Sequence, residues 1–230
     1  MGKKVAITQS NYIPWKGYFD MINIVDEFIL YDDMQYTRRD WRNRNRIKTY
    51  NGIKWITIPV QVKGKYYQTI KDTKISDPSW PLKHWKIISH NYAKSTYFKD
   101  YKDHFEELYN GVKEGYLSKI NYYFIKAICD MLDIRTKISW SMDYRIIGDK
   151  TLQLVNICLQ AGASELVSGP KAKAYLDESI LKQHGLRLTY MDYSGYPEYR
   201  QLYSPFEHTV SIIDLILNEG PNTTRFMKSF

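Results

Sequence analysis

The stretch Val5-Ala6-Ile7-Thr8-Gln9-Ser10-Asn11-Tyr12-Ile13-Pro14-Trp15-Lys16-Gly17-Tyr18-Phe19-Asp20, followed by Phe28-Ile29-Leu30-Tyr31-Asp32-Asp33, decides the fold class. Val5 to Ile7 is a short apolar run that stops at Gln9-Ser10-Asn11, the pattern of a buried strand and a turn. Pro14 and Gly17 bracket a helix entry, and Tyr18, Met21, Ile22 and Val25 fall on one helical face. Phe28 to Tyr31 is a second strand, ended by Asp32-Asp33. Strand, loop, helix and strand make a βαβ unit, and ligands of such folds collect beyond the carboxyl ends of the strands. Gln9 to Trp15 and Asp32 to Gln35 occupy those ends.

Outward from this unit, Asn51-Gly52 is a turn signal, and Lys54 to Val60 alternates like a strand. Tyr67 to Ile75 reads as a further extended piece. Residues 79–134 carry apolar residues at helical spacing and predict a helical lobe over the strand ends. Strands at 137–140, 165–168 and 186–190 then alternate with helices at 152–159 and 176–184, and a last helix spans 208–218. The expectation is one α/β domain over residues 1–230: a Rossmann-like, mainly parallel sheet with a helical insertion at about 79–134.

The 230 residues suit one domain, and 43% hydrophobic with 25% charged residues excludes a disordered chain. Cys129 and Cys158 are too few and too far apart for a disulfide scaffold or a cysteine zinc cluster. Both sit in apolar helical patterns, which predicts inert buried thiols. No apolar run reaches membrane-span length, and no long apolar stretch follows Lys3-Lys4 as in a signal peptide, so a cytoplasmic protein is expected. The net charge of +8 favours acidic partners: sugar nucleotides, a carrier protein, nucleic acid or an anionic membrane surface.

Candidate chemistry concentrates at residues 31–48. Asp32 and Asp33 end a strand, where a carboxylate can orient an amine, act as a base or hold a divalent metal. Arg38, Arg39, Arg42, Arg44 and Arg46 interleave with Trp41, Asn43 and Asn45. Arginine forks match phosphate oxygens, and indole offers a stacking face. His90 is a third candidate base. The spacing of His84 and His90 does not place both on one helical face for a metal, and no metal ligands are assigned. Phosphate-loop, dinucleotide-fingerprint and nucleophile-elbow motifs are absent from the sequence, so a covalent serine or cysteine mechanism has no support.

The opening block, Tyr31-Asp32-Asp33-Met34-Gln35-Tyr36 and Trp41-Arg42-Asn43-Arg44-Asn45-Arg46-Ile47-Lys48 together resemble the WbqC-like family. The resemblance resumes at Ser168-Gly169, at Tyr199-Arg200-Gln201 and at Ser211 to Gly220. One departure is Ser10, where family members usually carry proline; it is expected to alter the loop's stiffness more than its chemistry. The resemblance implies an enzyme of bacterial surface-polysaccharide biosynthesis, such as lipopolysaccharide O-antigen, with transfer of glycine or another acyl group to an amino sugar. A looser similarity to adenylylating nucleotidyltransferases lacks the paired histidines of that loop.

The leading expectation is therefore an amide-forming transferase acting on a nucleotide-linked amino sugar. Arg44, Arg46 and Lys48 would hold the diphosphate, and Trp15, Tyr18 or Trp41 would stack on the base or sugar. Gln9, Asn11, Tyr12, Gln35, Asn45, Ser168 and Gly169 would complete the binding site. Asp32, Asp33 or His90 would take the amine's proton. No tightly bound cofactor is expected; the donor would be a thioester of coenzyme A or of an acidic acyl carrier protein, with aminoacyl-tRNA or ATP-dependent activation as alternatives. The alternatives are a nucleotidyltransferase with Mg²⁺ at Asp32 and Asp33, and a non-enzymatic nucleic-acid-binding protein.

Overall fold

The computed structural model describes residues 2–230. Five strands form one sheet: β1 (Lys3–Thr8), β2 (Glu27–Leu30), β5 (Lys137–Trp140), β6 (Ala163–Ser168) and β7 (Arg187–Tyr190). Their order is β5-β2-β1-β6-β7, and every neighbouring pair is parallel. A separate antiparallel hairpin joins β3 (Arg44–Thr49) to β4 (Gly52–Thr57) through the expected Asn51-Gly52 turn, with Gly52 at φ +96°. The fold is mixed α/β and Rossmann-like.

Both faces of the central strands are covered, which is why β1 and β2 carry the runs Val5-Ala6-Ile7 and Phe28-Ile29-Leu30. Val5, Ile7, Ile29 and Leu166 join one buried cluster with Leu154, Val155 and Cys158 of α5 (Lys150–Gln160) and Leu181 of α6 (Glu178–Gln183). Ala6, Phe28, Leu30 and Val167 point the other way. There they meet Phe19 and Ile22 of α1 (Lys16–Asn23) and Ile213 of α7 (Ile212–Glu219). Helices α2 (Trp80–Tyr92), α3 (Phe98–Asn110) and α4 (Leu117–Met131) fill the insertion between β4 and β5. Their Trp80, Phe105 and Phe124 join the same cluster as Phe28 and Ile47, so the segment shares its core with the sheet.

Three local expectations are corrected. Residues 44–49 form a strand because Asn45 and Ile47 point into the core while Arg44 and Arg46 point out; the inward asparagine hides the usual apolar alternation. Residues 67–75 contribute isolated bridges at Thr69, Lys74 and Ile75 and no strand. The last helix starts at Ile212, after the Ser211 hydroxyl accepts the Ile213 N–H at 3.3 Å, so His208 lies outside it.

Chain order runs from β1 through β2 to β5 in one direction and from β6 to β7 in the other. The switch therefore lies between β1 and β6, and their carboxyl ends open a crevice there.

Candidate functional site

The loop from Gln9 to Trp15 crosses the crevice and is held from several sides. Tyr12 donates its N–H to the Trp41 carbonyl at 3.1 Å, and Ile212 donates to the Pro14 carbonyl at 2.9 Å. Ile13 sits at φ +36°, a strained conformation for a β-branched residue. The buried Asn45 amide donates to the carbonyls on both sides of that strained peptide, Tyr12 at 2.9 Å and Ile13 at 2.8 Å. Beneath the loop, the Tyr12 hydroxyl meets His84 Nδ1 and the Tyr109 hydroxyl, each at 2.8 Å. His84 Nε2 lies 3.1 Å from the Thr57 carbonyl, so Nε2 carries the hydrogen and Nδ1 accepts. Burial lowers the pKa of His84 to about 4 and keeps the ring neutral.

Asp32 anchors the same loop. One carboxylate oxygen accepts the Ser10 N–H at 2.9 Å, and the other accepts the Ser118 hydroxyl. Asn121 donates to the Ser10 hydroxyl at 2.9 Å and to the Arg42 carbonyl at 2.9 Å. The Arg42 guanidinium donates to Asn11 Oδ1. Burial raises the Asp32 pKa, while the Ser118 and Ser10 hydrogen bonds and the Arg42 charge oppose that rise. Ser10 thus changes the loop's chemistry as well as its stiffness, because a proline there has no N–H for Asp32.

Two clefts flank the crevice. The first, about 360 Å³, lies between Trp15, Trp41 and Tyr193, with Asn11, Gly169 and Lys171 on its walls. Trp15 packs edge-on against Tyr193 and Tyr196, with centroids 5.1 and 5.5 Å apart. Its indole also lies over Gly17, where a Cβ would sit 2.4 Å from a ring carbon. Behind this wall the buried Lys16 ammonium donates to the Pro197 carbonyl at 3.1 Å and lies 4.8 and 5.3 Å from the Tyr196 and Tyr199 ring centres. Burial lowers its pKa to about 8, with Asp20 acting in the opposite sense. The second cleft, about 340 Å³, has Ile7, Leu154 and Leu166 as apolar lining and Gln9, Gln153 and Ser168 as polar lining.

Of the sequence-predicted residues, Asn11, Trp15, Trp41, Asn45 and Gly169 meet at the first cleft, and Gln9 and Ser168 at the second. Others lie elsewhere. Tyr12 and Tyr18 are core residues; the Tyr18 hydroxyl is spent on the Gln9 carbonyl at 3.1 Å. Lys48 is buried, with its ammonium on the Pro205 carbonyl, so it grips no diphosphate. Arg44 stacks on Trp55 at 4.0 Å, and Arg46 sits 5.3 Å from the Trp41 ring centre while donating to the Thr209 carbonyl at 3.0 Å. Gln35 is exposed and donates to the Tyr66 carbonyl at 2.9 Å.

The three expected bases are corrected too. Asp32 is fully buried, with its two oxygens on the Ser10 N–H and the Ser118 hydroxyl, so it is turned to the loop's own backbone and not to a cleft. Asp33 points to Lys71 and to the Ser141 hydroxyl, so the two adjacent carboxylates diverge and form no metal pair. His90 is exposed in a different cavity, beside Lys54 and Lys86. Among the described residues no group of three or more His, Cys, Asp or Glu side chains could hold a metal. Both cysteines are buried, and burial pushes each thiol up to about 12. Sequence reading missed Lys171, Tyr193 and Lys16. The Pro170 turn after a strand was the available signal for Lys171, and nothing local marks Tyr193.

A model of the WbqC-like protein family matches residues 9–226, and the chain belongs to that family. It is 48% identical over 226 residues to the uncharacterized protein Rv1507c of Mycobacterium tuberculosis (strain ATCC 25618 / H37Rv), with 98% of each chain covered. No solved structure matches. Among the described residues no helix is long and apolar enough to cross a membrane.

Proposed function

We propose that this WbqC-like chain is a transferase of bacterial surface-polysaccharide biosynthesis that forms an amide on a nucleotide-linked amino sugar. The observation that carries the reading is the first cleft: two indoles and a phenol, with Asn11, Asn45 and Lys171 also on the lining, at the switch point of a parallel sheet. Indole faces suit a base or a pyranose, and Lys171 supplies a cation for the diphosphate. Arg44 and Arg46 serve the site indirectly, through Trp55 and Trp41.

The chemistry asks little of the protein. The neutral sugar amine attacks the carbonyl of an acyl thioester, the new C–N bond forms, and the C–S bond breaks. The nitrogen loses a proton and the leaving sulfur ends as a thiol. Positioning two substrates in one geometry supplies most of the rate in such a reaction. Asn11, on the cleft wall, supports the carbonyl oxygen as it gains charge.

Isothermal titration of the whole chain with UDP- and dTDP-linked amino sugars tests the reading. Binding is expected, and Trp41→Ala and Lys171→Glu are each expected to weaken it about tenfold or more, the scale of a lost stacking or charge-assisted contact. Unchanged affinity in both variants, or no binding to the native chain, overturns it.

A further inference from the structure

The second cleft shares a wall with the first. Gln9 lines one and Asn11 the other; Ser168 lines one and Gly169 the other. Consecutive backbone at the ends of β1 and β6 therefore separates two cavities of similar size, about 340 and 360 Å³. Their chemistry differs. The first is walled by Trp15, Trp41 and Tyr193. The second has Ile7, Leu154 and Leu166 as apolar lining, with amides and hydroxyls from Gln9, Gln153 and Ser168 and the exposed Tyr175 also on the lining. The Tyr31 hydroxyl there donates to Gln153 Oε1 at 2.5 Å, which orients that amide. Lys150, exposed at the first turn of α5, brings one ammonium to its lining, and no lining residue is a carboxylate.

We infer that the second cleft binds the phosphopantetheine-type arm of the acyl donor, with its thioester directed to the wall shared with the sugar-nucleotide cleft. The inference rests on the transferase reading above. A cleft without an indole pair is poorly suited to stack a base, and one without a carboxylate is poorly suited to hold an ammonium. Apolar walls carrying scattered amides suit a slender chain of methylenes and amides. Lys150 suits the phosphate that ends such an arm. The thioester then meets the amine over the partly exposed rim of that wall, at Gln9 and Asn11. The bond changes are those already given: the amine nitrogen takes the acyl carbon, and the arm leaves as a free thiol with the proton.

The same arm is offered by coenzyme A and by an acyl carrier protein, so the experiment has three titrants for the whole chain: acetyl-coenzyme A, pantetheine 4′-phosphate and a purified acetylated carrier protein. Each is tested with and without saturating UDP-amino sugar, against the native protein, Lys150→Glu and Tyr175→Ala. Both substituted side chains are exposed, so the fold survives their replacement. At least one titrant is expected to bind alongside the sugar nucleotide. Lys150→Glu is expected to weaken that titrant about tenfold or more while sugar-nucleotide affinity stays within about twofold. Binding by pantetheine 4′-phosphate and acetyl-coenzyme A assigns a free donor; binding by the carrier protein alone assigns a protein-borne one. Competition between titrant and sugar nucleotide, or equal affinity in native and Lys150→Glu proteins, overturns the inference. Sugar-nucleotide binding with none of the three titrants bound overturns the inference and leaves the transferase reading standing. Failure to bind the sugar nucleotide overturns both.

Discussion

The two ends of β2 each bury a carboxylate, and the two behave in opposite ways. Glu27, at the amino end, is held by Lys3 at 2.7 Å, Lys137 at 2.9 Å, Ser139 at 2.6 Å and Tyr144 at 2.7 Å. Burial raises its pKa, but hydrogen bonds from Lys3, Ser139, Tyr144 and Lys137 outweigh that and bring it to about 2. Asp32, just beyond the carboxyl end, has neutral donors on both oxygens, and burial wins. Two ammonium groups make the difference. The amino end is an ionic staple across β1, β2 and β5, whereas the carboxyl end is shaped by directional hydrogen bonds that set a loop. Directional bonds place the crevice loop; the staple only has to keep strands together.

The largest effect that can break this comparison is Glu27→Ala, which leaves the Lys3 and Lys137 ammonium groups without their shared carboxylate. A loss of about 3–5 kcal/mol is expected in urea unfolding, the range for breaking a buried pair. A loss below about 1 kcal/mol, the scale of a surface pair, removes the staple. Acid titration sharpens the same contrast. Glu27 has a folded pKa below its unfolded value, so its stabilisation is complete above about 4.5 and is lost as pH falls through about 2. Asp32 has a raised folded pKa, so its contribution runs the other way and improves as it protonates.

His84, under the site loop, opens an earlier acid window. Its folded pKa is about 4 against 6.5 unfolded, so below 6.5 the unfolded chain takes a proton that the folded chain refuses. Stability is expected to fall by about 3 kcal/mol between those two values, measured by urea midpoints across pH. His84→Gln should flatten that limb and leave the Glu27 limb intact; an unchanged profile removes His84 from the account.

Smaller effects address the loop alone. Asn45→Ala deletes two hydrogen bonds that brace the strained Ile13, with an expected cost of about 2 kcal/mol and a matching loss of sugar-nucleotide affinity. Gly17→Ala puts a methyl into the Trp15 ring and should cost about 1–3 kcal/mol as an overpacked contact. Its readout is Trp fluorescence together with titration; native affinity in that variant would detach Trp15 from the cleft. At the bottom of the scale, Lys126→Ala breaks an exposed ion pair with Asp130 on α4 and should change stability by less than about 0.5 kcal/mol.

Much of the fold is legible in the sequence because period and punctuation are local. Val5 to Ile7, Phe28 to Leu30, Lys137 to Trp140 and Glu165 to Ser168 all lie in strands, and Leu152 to Leu159 in a helix. Residues 44–49 were unreadable as a strand because the inward position 45 is an asparagine that bonds to the loop instead of packing. The site was legible in part. Asn11, Trp15 and Trp41 reach the first cleft, while Tyr12, only one residue from Asn11, points into the core.

What the sequence determined by itself is the βαβ opening, the alternation of strands and helices, and which residues lie at the carboxyl ends of the first two strands. Each follows from the spacing of apolar residues along a few turns or strands. The tertiary structure alone decided strand order, and with it the switch between β1 and β6. It also decided which charges are spent. Asp32 is held by Ser10 and Ser118 and Lys48 by Pro205, partners from distant parts of the chain, while Arg44 stacks on Trp55 across its own hairpin. A charged side chain carries the same letter whether it faces water, a substrate or a buried carbonyl. Burial and long-range hydrogen bonds tell these apart, and both exist only after segments 9–15, 41–46, 168–171 and 193–209 have come together around one crevice.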